Sequence, residues 1–335
     1  MKKQPLPRPL LVEGLERREL LAGNVLVESH NGNVKITGDG DNNGLIIAMQ
    51  LNGRFNITSQ VGDDVFTGPT TDLEIRNLTV NLLGGNDFLI VAGDVSTGLN
   101  NPAFIPGKVK IDLGAGNDNA FMAVAAGANG EESQSISVKG GDGNDTSLVL
   151  FSAVKSVSIE AGVGDDAVVV SNSSIRNIDI DTGVNTLGEG ETDNDAVQLG
   201  SLTAQTINVR LGTGNQSPDP EANSFNFANV YNSSIGVLNI QGGDAVDSMN
   251  VHDNTVDAIT ISTGGSDDTV EIARVEAGLL HVNLGGGDDT LYAYDSDITI
   301  ATLLGGSGTD GRWVQNVDSL LLLELQFETV LPPLF

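Results

Sequence analysis

The chain has 335 residues, with 45 Asp or Glu against 16 Lys or Arg, and a formal net charge of -29. Nucleic acid and anionic lipid are disfavoured as partners because both need a positive surface; cations are the natural counterpart of this one. Cysteine is absent, which excludes disulfides, thiolate catalysis and zinc-thiolate sites, and the 39% hydrophobic content, mostly Val, Ile, Leu and Ala, exceeds that of disordered acidic chains.

Residues 1–23, MKKQPLPRPLLVEGLERRELLAG, hold five of the sixteen basic residues. Lys2 and Lys3 suit the start of a signal peptide, but Pro5, Pro7, Pro9 and Glu13 interrupt any apolar run after them, so the segment reads as a flexible leader. Its LERRELLAG stretch resembles the LExRxLLA-type segment near the N-terminus of many large bacterial secreted and surface proteins. The resemblance implies export, with a secreted or cell-surface location; a short amphipathic helix without an address function is the alternative. No window approaches 18 consecutive apolar residues, so no transmembrane helix is expected.

From residue 24 a glycine-rich turn with an acidic end recurs. It reads VGDD at Asp64, GGND at Asp87, GAGND at Asp118, GDGND at Asp145, GVGDD at Asp166 and TDND at Asp195. GDAVD at Asp247, GGSDD at Asp268, GGGDD at Asp289 and GSGTD at Asp310 follow, and GDGDN at Asn42 and GTGNQ at Gln216 are weaker members. The base period is 21 residues, as between Asp145 and Asp166 and from Asp247 through Asp310, and longer intervals are that period plus insertions. Apolar residues keep the register: Val168, Val170, Ile178 and Ile180 follow Asp166 at the offsets where Val270, Ile272, Leu280 and Val282 follow Asp268. Ile175, Val256 and Ile298 mark a further inward position.

Spacing of two within each cluster means strand with one face buried. Short strands in a 21-residue unit cannot bury that face alone, but stacked units can. The predicted fold is therefore all-β, a right-handed parallel β-helix or β-roll solenoid of about twelve coils over residues 24–317. Insertions around Asn100–Pro106 and Gly127–Glu132 fall away from the acidic turn. Those around Leu187–Glu191 and Ser217–Asn223 enlarge it and gather Glu189, Glu191, Asp193, Asp219 and Glu221. Residues 318–335, DSLLLLELQFETVLPPLF, lose the turn and read as a capping strand and tail that covers the open end.

In-register repeats set the aspartates in a column. At about 4.8 Å two unit charges repel by roughly 0.9 kcal/mol in water and about 3.5 kcal/mol at an effective dielectric of 20, so the column needs solvation, N–H donors or cations. Gly285 and Gly287 can take positive φ and turn backbone carbonyls inward, where with a carboxylate they offer the oxygen ligands calcium prefers. In any single turn, Asp or Asn can equally serve as a turn former. The unbroken spacing of Asp145 with Asp166, and of Asp247, Asp268, Asp289 and Asp310, favours the metal.

These turns resemble the RTX or hemolysin-type calcium-binding repeat, GGxGxD followed by x-hydrophobic-x: GGDGNDTSL at Gly140–Leu148 and GGSGTD at Gly305–Asp310 carry its glycine–aspartate part. The resemblance implies a parallel β-roll around calcium. Asp118, Asp145, Asp166, Asp289 and Asp310 would be ligands, with turn carbonyls such as those of Gly141, Gly143, Gly162, Gly164, Gly285 and Gly287. The family repeats every nine residues and carries the motif on both turns of a coil. Here one turn per 21 residues has it, which implies fewer and weaker sites.

Parallel β-helices also host polysaccharide lyases and hydrolases. Beyond the leader only Arg312, beside Trp313, stands out among the basic residues, as a sugar platform or a cap on the core. The acids of the two enlarged turns form a solvated rim or a site. No nucleophile–base set or phosphate loop is evident. The expectation is an exported, non-enzymatic, calcium-binding surface or adhesion module, with surface polysaccharide or other surface proteins as further partners; a carbohydrate-active β-helix is the alternative.

Overall fold

A computed structural model describes residues 23–60, 64–94, 101–125, 134–183, 194–212 and 224–331. The leader's first 22 residues, Gln216 and the acids of both enlarged turns lie outside them. The described residues are all-β, and successive units pair in parallel. Thr146–Leu150 pairs with Ala167–Ser171, that segment with Ala196–Gly200, and Ala196–Gly200 with Phe227–Tyr231. The same column continues through Val246–His252, Thr269–Ala273, Thr290–Tyr294 and Gly311–Gln315.

A second column runs alongside, from Ala153–Glu160 through Ser174–Asp181, Thr203–Arg210, Ser234–Gln241, Thr255–Ser262, Glu276–Asn283 and Asp297–Leu304 to Leu321–Leu325. The strands Ala196–Arg210 and Thr290–Leu304, 15 residues each, run through both columns. With the shorter strands between them they close a ring of eight parallel strands.

Each long strand bends at one left-handed residue: Asn172, Ser201 and Asp295 have φ of 51°, 55° and 50°. Asn232, Asp253, Arg274 and Asn316 hold the same place in their units with φ of 50–59°. Asn and Asp tolerate this conformation best, whereas Ser201 and Arg274 are held in it by the pairing on either side.

Between the columns lies one continuous hydrophobic core. Val270, Ile272 and Val282 are 0% exposed and Leu280 1%, and their counterparts after Asp166 are equally buried, so the alternating pattern read from the sequence is the core pattern.

At the N-terminal end two antiparallel pairs precede the parallel units. Leu26–His30 pairs with Asn33–Thr37, and Leu45–Met49 with Phe55–Ser59. Gly44–Ala48 pairs directly with Phe88–Ala92, so the described residues 50–60 and 64–76 lie outside that register, at this end. Asp64 therefore stands off the aspartate column; it accepts from Gly44 N–H at 3.3 Å and Ser59 Oγ at 2.5 Å.

Candidate functional site

Every described motif aspartate on the column turns inward. Asp118, Asp247 and Asp310 are 0% exposed, and Asp87, Asp145, Asp166, Asp195, Asp268 and Asp289 are 1–2% exposed. They form a ladder in which one rung's backbone N–H donates to the carboxylate of the next rung up the chain. Asp87 N–H bonds Asp118 Oδ1 at 2.6 Å, Asp118 N–H bonds Asp145 at 2.9 Å, and Asp145 N–H bonds Asp166 at 2.8 Å. The ladder continues from Asp166 to Asp195, and from Asp247 through Asp268 and Asp289 to Asp310, at 2.8–3.1 Å. Glu328 accepts the Asp310 N–H at 2.8 Å and ends it.

Two rungs differ from those read in the sequence. Asn43, not Asn42, begins the ladder, donating its N–H to Asp87 Oδ1 at 2.7 Å, because Gly44 stands opposite Phe88. In the unit aligned on Gln216 the rung is Asn226: its Oδ1 accepts Asp195 N–H at 3.1 Å and its amide donates to Gly212 O at 3.2 Å. Strand pairing sets the register, and the insertion before residue 224 hides it from a count along the chain.

In most units the residue before the rung builds a second, exposed ladder of opposite direction, interrupted at Phe225 and Val246, which have no side-chain acceptor. Asn117 N–H donates back to Asn86 Oδ1 at 2.8 Å, Asn144 to Asn117 at 2.9 Å and Asp165 to Asn144 at 3.1 Å. Asp288 N–H bonds Asp267 Oδ1, and Thr309 N–H bonds Asp288 Oδ1, both at 2.7 Å. The paired acids and amides of the ND and DD turns thus share the work: one Oδ1 binds the unit before, the other the unit after. A third row lines the opposite corner, where Ser152 N–H bonds Ser173 Oγ at 2.9 Å and Ser233 N–H bonds Asn254 Oδ1 at 2.8 Å. Its signal in the sequence is the recurring NSS, DN and DS tract at the bend of the units.

Burial dominates the electrostatics. It pushes the carboxyls of Asp87, Asp145 and Asp247 up to about 7, Asp268 to about 8, and Asp118 and Asp289 to about 6, each against the lowering effect of an N–H donor; Asp310 is also raised. One carboxylate oxygen of Asp118, Asp145, Asp289 and Asp310 is fully buried with no hydrogen-bond partner among the described residues. A charged carboxylate so placed requires a proton or a cation.

All six predicted glycines have positive φ, from 89° at Gly285 to 134° at Gly287. The cause is close stacking: a Cβ on Gly162 would lie 2.0 Å from Gly141 O, and one on Gly287 2.0 Å from Ser266 O. Gly285 O accepts Ser307 N–H at 2.8 Å, leaving one lone pair for any further ligand. No group of three or more His, Asp or Glu side chains converges as a metal centre among the described residues. A cation here would draw on carboxylate oxygens of successive rungs together with turn carbonyls.

Arg312 and Trp313 point to opposite sides. Arg312 bonds Glu324 through Nε at 2.7 Å and lies 5.6 Å from the Phe327 ring, over the end of the core. Trp313 lies on the outer face, its ring 5.6 Å from Tyr294 and 6.4 Å from Tyr292. On the same face, Tyr231 stacks on His252 at 5.7 Å and Arg274 forks onto Asp253 at 2.7 and 2.8 Å. The chain's three tyrosines and its single tryptophan thus share one face of the last units.

Comparison with protein-family models, curated proteins and solved structures yields no match. The reading of function therefore stands on the ladder and its surroundings.

Proposed function

We propose that the two parallel columns are the sides of a right-handed β-solenoid, and that the chain is an exported, non-enzymatic rod that binds calcium along its aspartate edge and serves as a structural or adhesion module at a bacterial surface. The observation that carries this reading is the column of inward aspartates in which Asp118, Asp145, Asp289 and Asp310 each bury an oxygen without a donor among the described residues. Calcium is an oxygen-seeking cation that tolerates mixed carboxylate and carbonyl ligands, and it is plentiful outside the cell. Binding to the folded chain alone would raise its stability by mass action. The fit is closest to the RTX-type resemblance at Asp289 and Asp310, where Gly285, Gly287 and Gly306 keep the turn open to the backbone above and below. The test is thermal unfolding in chelator and in millimolar calcium, with magnesium as control. A rise in melting temperature specific to calcium and reversed by chelator supports the reading, and identical curves would refute it.

The aromatic face favours a second reading, carbohydrate binding. Tyr292, Tyr294 and Trp313 offer apolar ring surface beside Glu271 and Arg274, the mixture that suits a pyranose. Trp313, the only tryptophan, makes emission spectra a direct readout: a shift on adding cellohexaose or chitohexaose supports this reading, and unchanged emission with both argues against it.

A further inference from the structure

The two ends of the molecule differ. At the first end the strands that begin the two columns each have an antiparallel neighbour: Asn33–Thr37 is covered by Leu26–His30, and Gly44–Met49 by Phe55–Ser59. At the last end, Leu321–Leu325 pairs with Ile300–Leu304 and with no other described residues. Its backbone alternates. Leu325 C=O accepts from Gly305 at 3.0 Å, which assigns the groups of Leu321, Leu323 and Leu325 to the existing ladder and leaves N–H and C=O of Leu322 and Glu324 facing outward.

The side chains beside that open edge are apolar. Leu320 is 86% exposed, Leu321 58%, Leu323 45% and Leu325 47%, and Val330 on the neighbouring terminal strand is 76% exposed. Leu279 and Ile300 stand in register behind Leu321 and extend the patch along the outer face. In a chain of net charge -29 this coil is poor in charge: between Gly311 and Leu331 there are only Arg312, Asp318, Glu324 and Glu328, and Arg312 is paired with Glu324. An unpaired strand edge and a contiguous apolar surface at one place are the two features that folded proteins otherwise suppress.

We propose that this edge pairs with the same edge of a second copy, giving a closed tail-to-tail dimer about a two-fold axis. The sequence is self-complementary in that arrangement. With Leu323 facing Leu323 in antiparallel register, Leu322 of each copy exchanges N–H···O bonds with Glu324 of the other, and Leu321 lies opposite Leu325. The outer face becomes an unbroken row of leucines. Because the edge pairs with itself about a two-fold axis, each copy's edge is used up in the contact, and the assembly stops at two. Like charge along the two rods opposes association, so pairing strengthens as salt rises.

The test is sedimentation or light scattering of the full chain over a range of concentrations, with and without calcium, so that loss of pairing and loss of calcium binding are read separately. The expected result is a concentration-dependent species of twice the 34.8 kDa chain mass. Leu323→Lys places a charge at the symmetry centre on an outward side chain and is expected to leave a monomer with an unchanged circular dichroism spectrum; Leu321→Lys serves if that variant melts early. Leu51→Lys, at a 95% exposed leucine on the covered end, is expected to dimerise normally. A monomer at all concentrations, a doubled mass that survives both charged variants, or growth beyond two copies would overturn the proposal.

Discussion

Asp268→Asn separates the ladder's hydrogen bond from its charge. Asp268 is 1% exposed, its Oδ1 accepts Asp247 N–H at 2.8 Å, and burial, then the charges of Asp247 and Asp289, raise its carboxyl to about 8. A folded pKa above the unfolded value means the folded state holds the proton more tightly. The stabilisation is therefore fully present below about pH 4 and is lost as pH rises through about 8. The full shift corresponds to about 6 kcal/mol, and sharing protons with the neighbouring rungs reduces the part that belongs to Asp268 to roughly 1–3 kcal/mol. Asparagine keeps the acceptor, as Asn226 does natively, and cannot ionise. In chelator, denaturant unfolding at pH 5 and pH 9 should show the variant gaining roughly 1–3 kcal/mol on the wild type between the two pH values. Parallel pH profiles for the two proteins would refute the account of a buried, proton-demanding column.

Other consequences follow from the same geometry. Asp145→Ala leaves Asp118 N–H buried without its acceptor and should cost roughly 1–3 kcal/mol, with faster amide exchange at Asp118; Asn144→Ala, in the exposed ladder, should cost about 0.5 kcal/mol. Gly162→Ala must hold φ at 127° and place a Cβ 2.0 Å from Gly141 O, and should cost about 3 kcal/mol or more in melting experiments. Gly40→Ala, with nothing within 4 Å, should stay within about 0.5 kcal/mol of the wild type. Ser173→Ala removes the acceptor of Ser152 N–H and should destabilise by about 1–2 kcal/mol, seen as a lower denaturant midpoint.

Much of this architecture is legible in the residues. The 21-residue spacing from Asp247 to Asp310 marks a stack because strands in register must repeat their side chains in register, and the period-two clusters such as Val168, Val170, Ile178 and Ile180 are the buried ones. Where an insertion intervenes, counting fails. Asn43 and Asn226 are rungs because Gly44 and Phe227 stand opposite Phe88 and Ala196, a fact of hydrogen bonding between strands far apart in sequence. Asp64 follows a stretch of the same composition yet lies off the column, because Gly44 pairs directly with Phe88 and Phe55–Ser59 turns back on Leu45–Met49. The inward direction of the aspartates was not legible either. A glycine–aspartate turn reads alike whether its carboxylate faces water or the neighbouring unit, and only the donated N–H of the rung before decides it.

The measurement closest to the central claim is a calorimetric calcium titration of the purified chain at pH 7.5, alongside a variant carrying Asp118→Asn, Asp145→Asn, Asp289→Asn and Asp310→Asn. Asparagine preserves each rung's acceptor for the neighbouring N–H while removing the carboxylate. The account predicts saturable calcium binding by the wild type, with proton release as raised carboxyls ionise, and loss of that binding in a variant that remains folded. Absence of binding to the wild type, or equal binding by the variant, would contradict it.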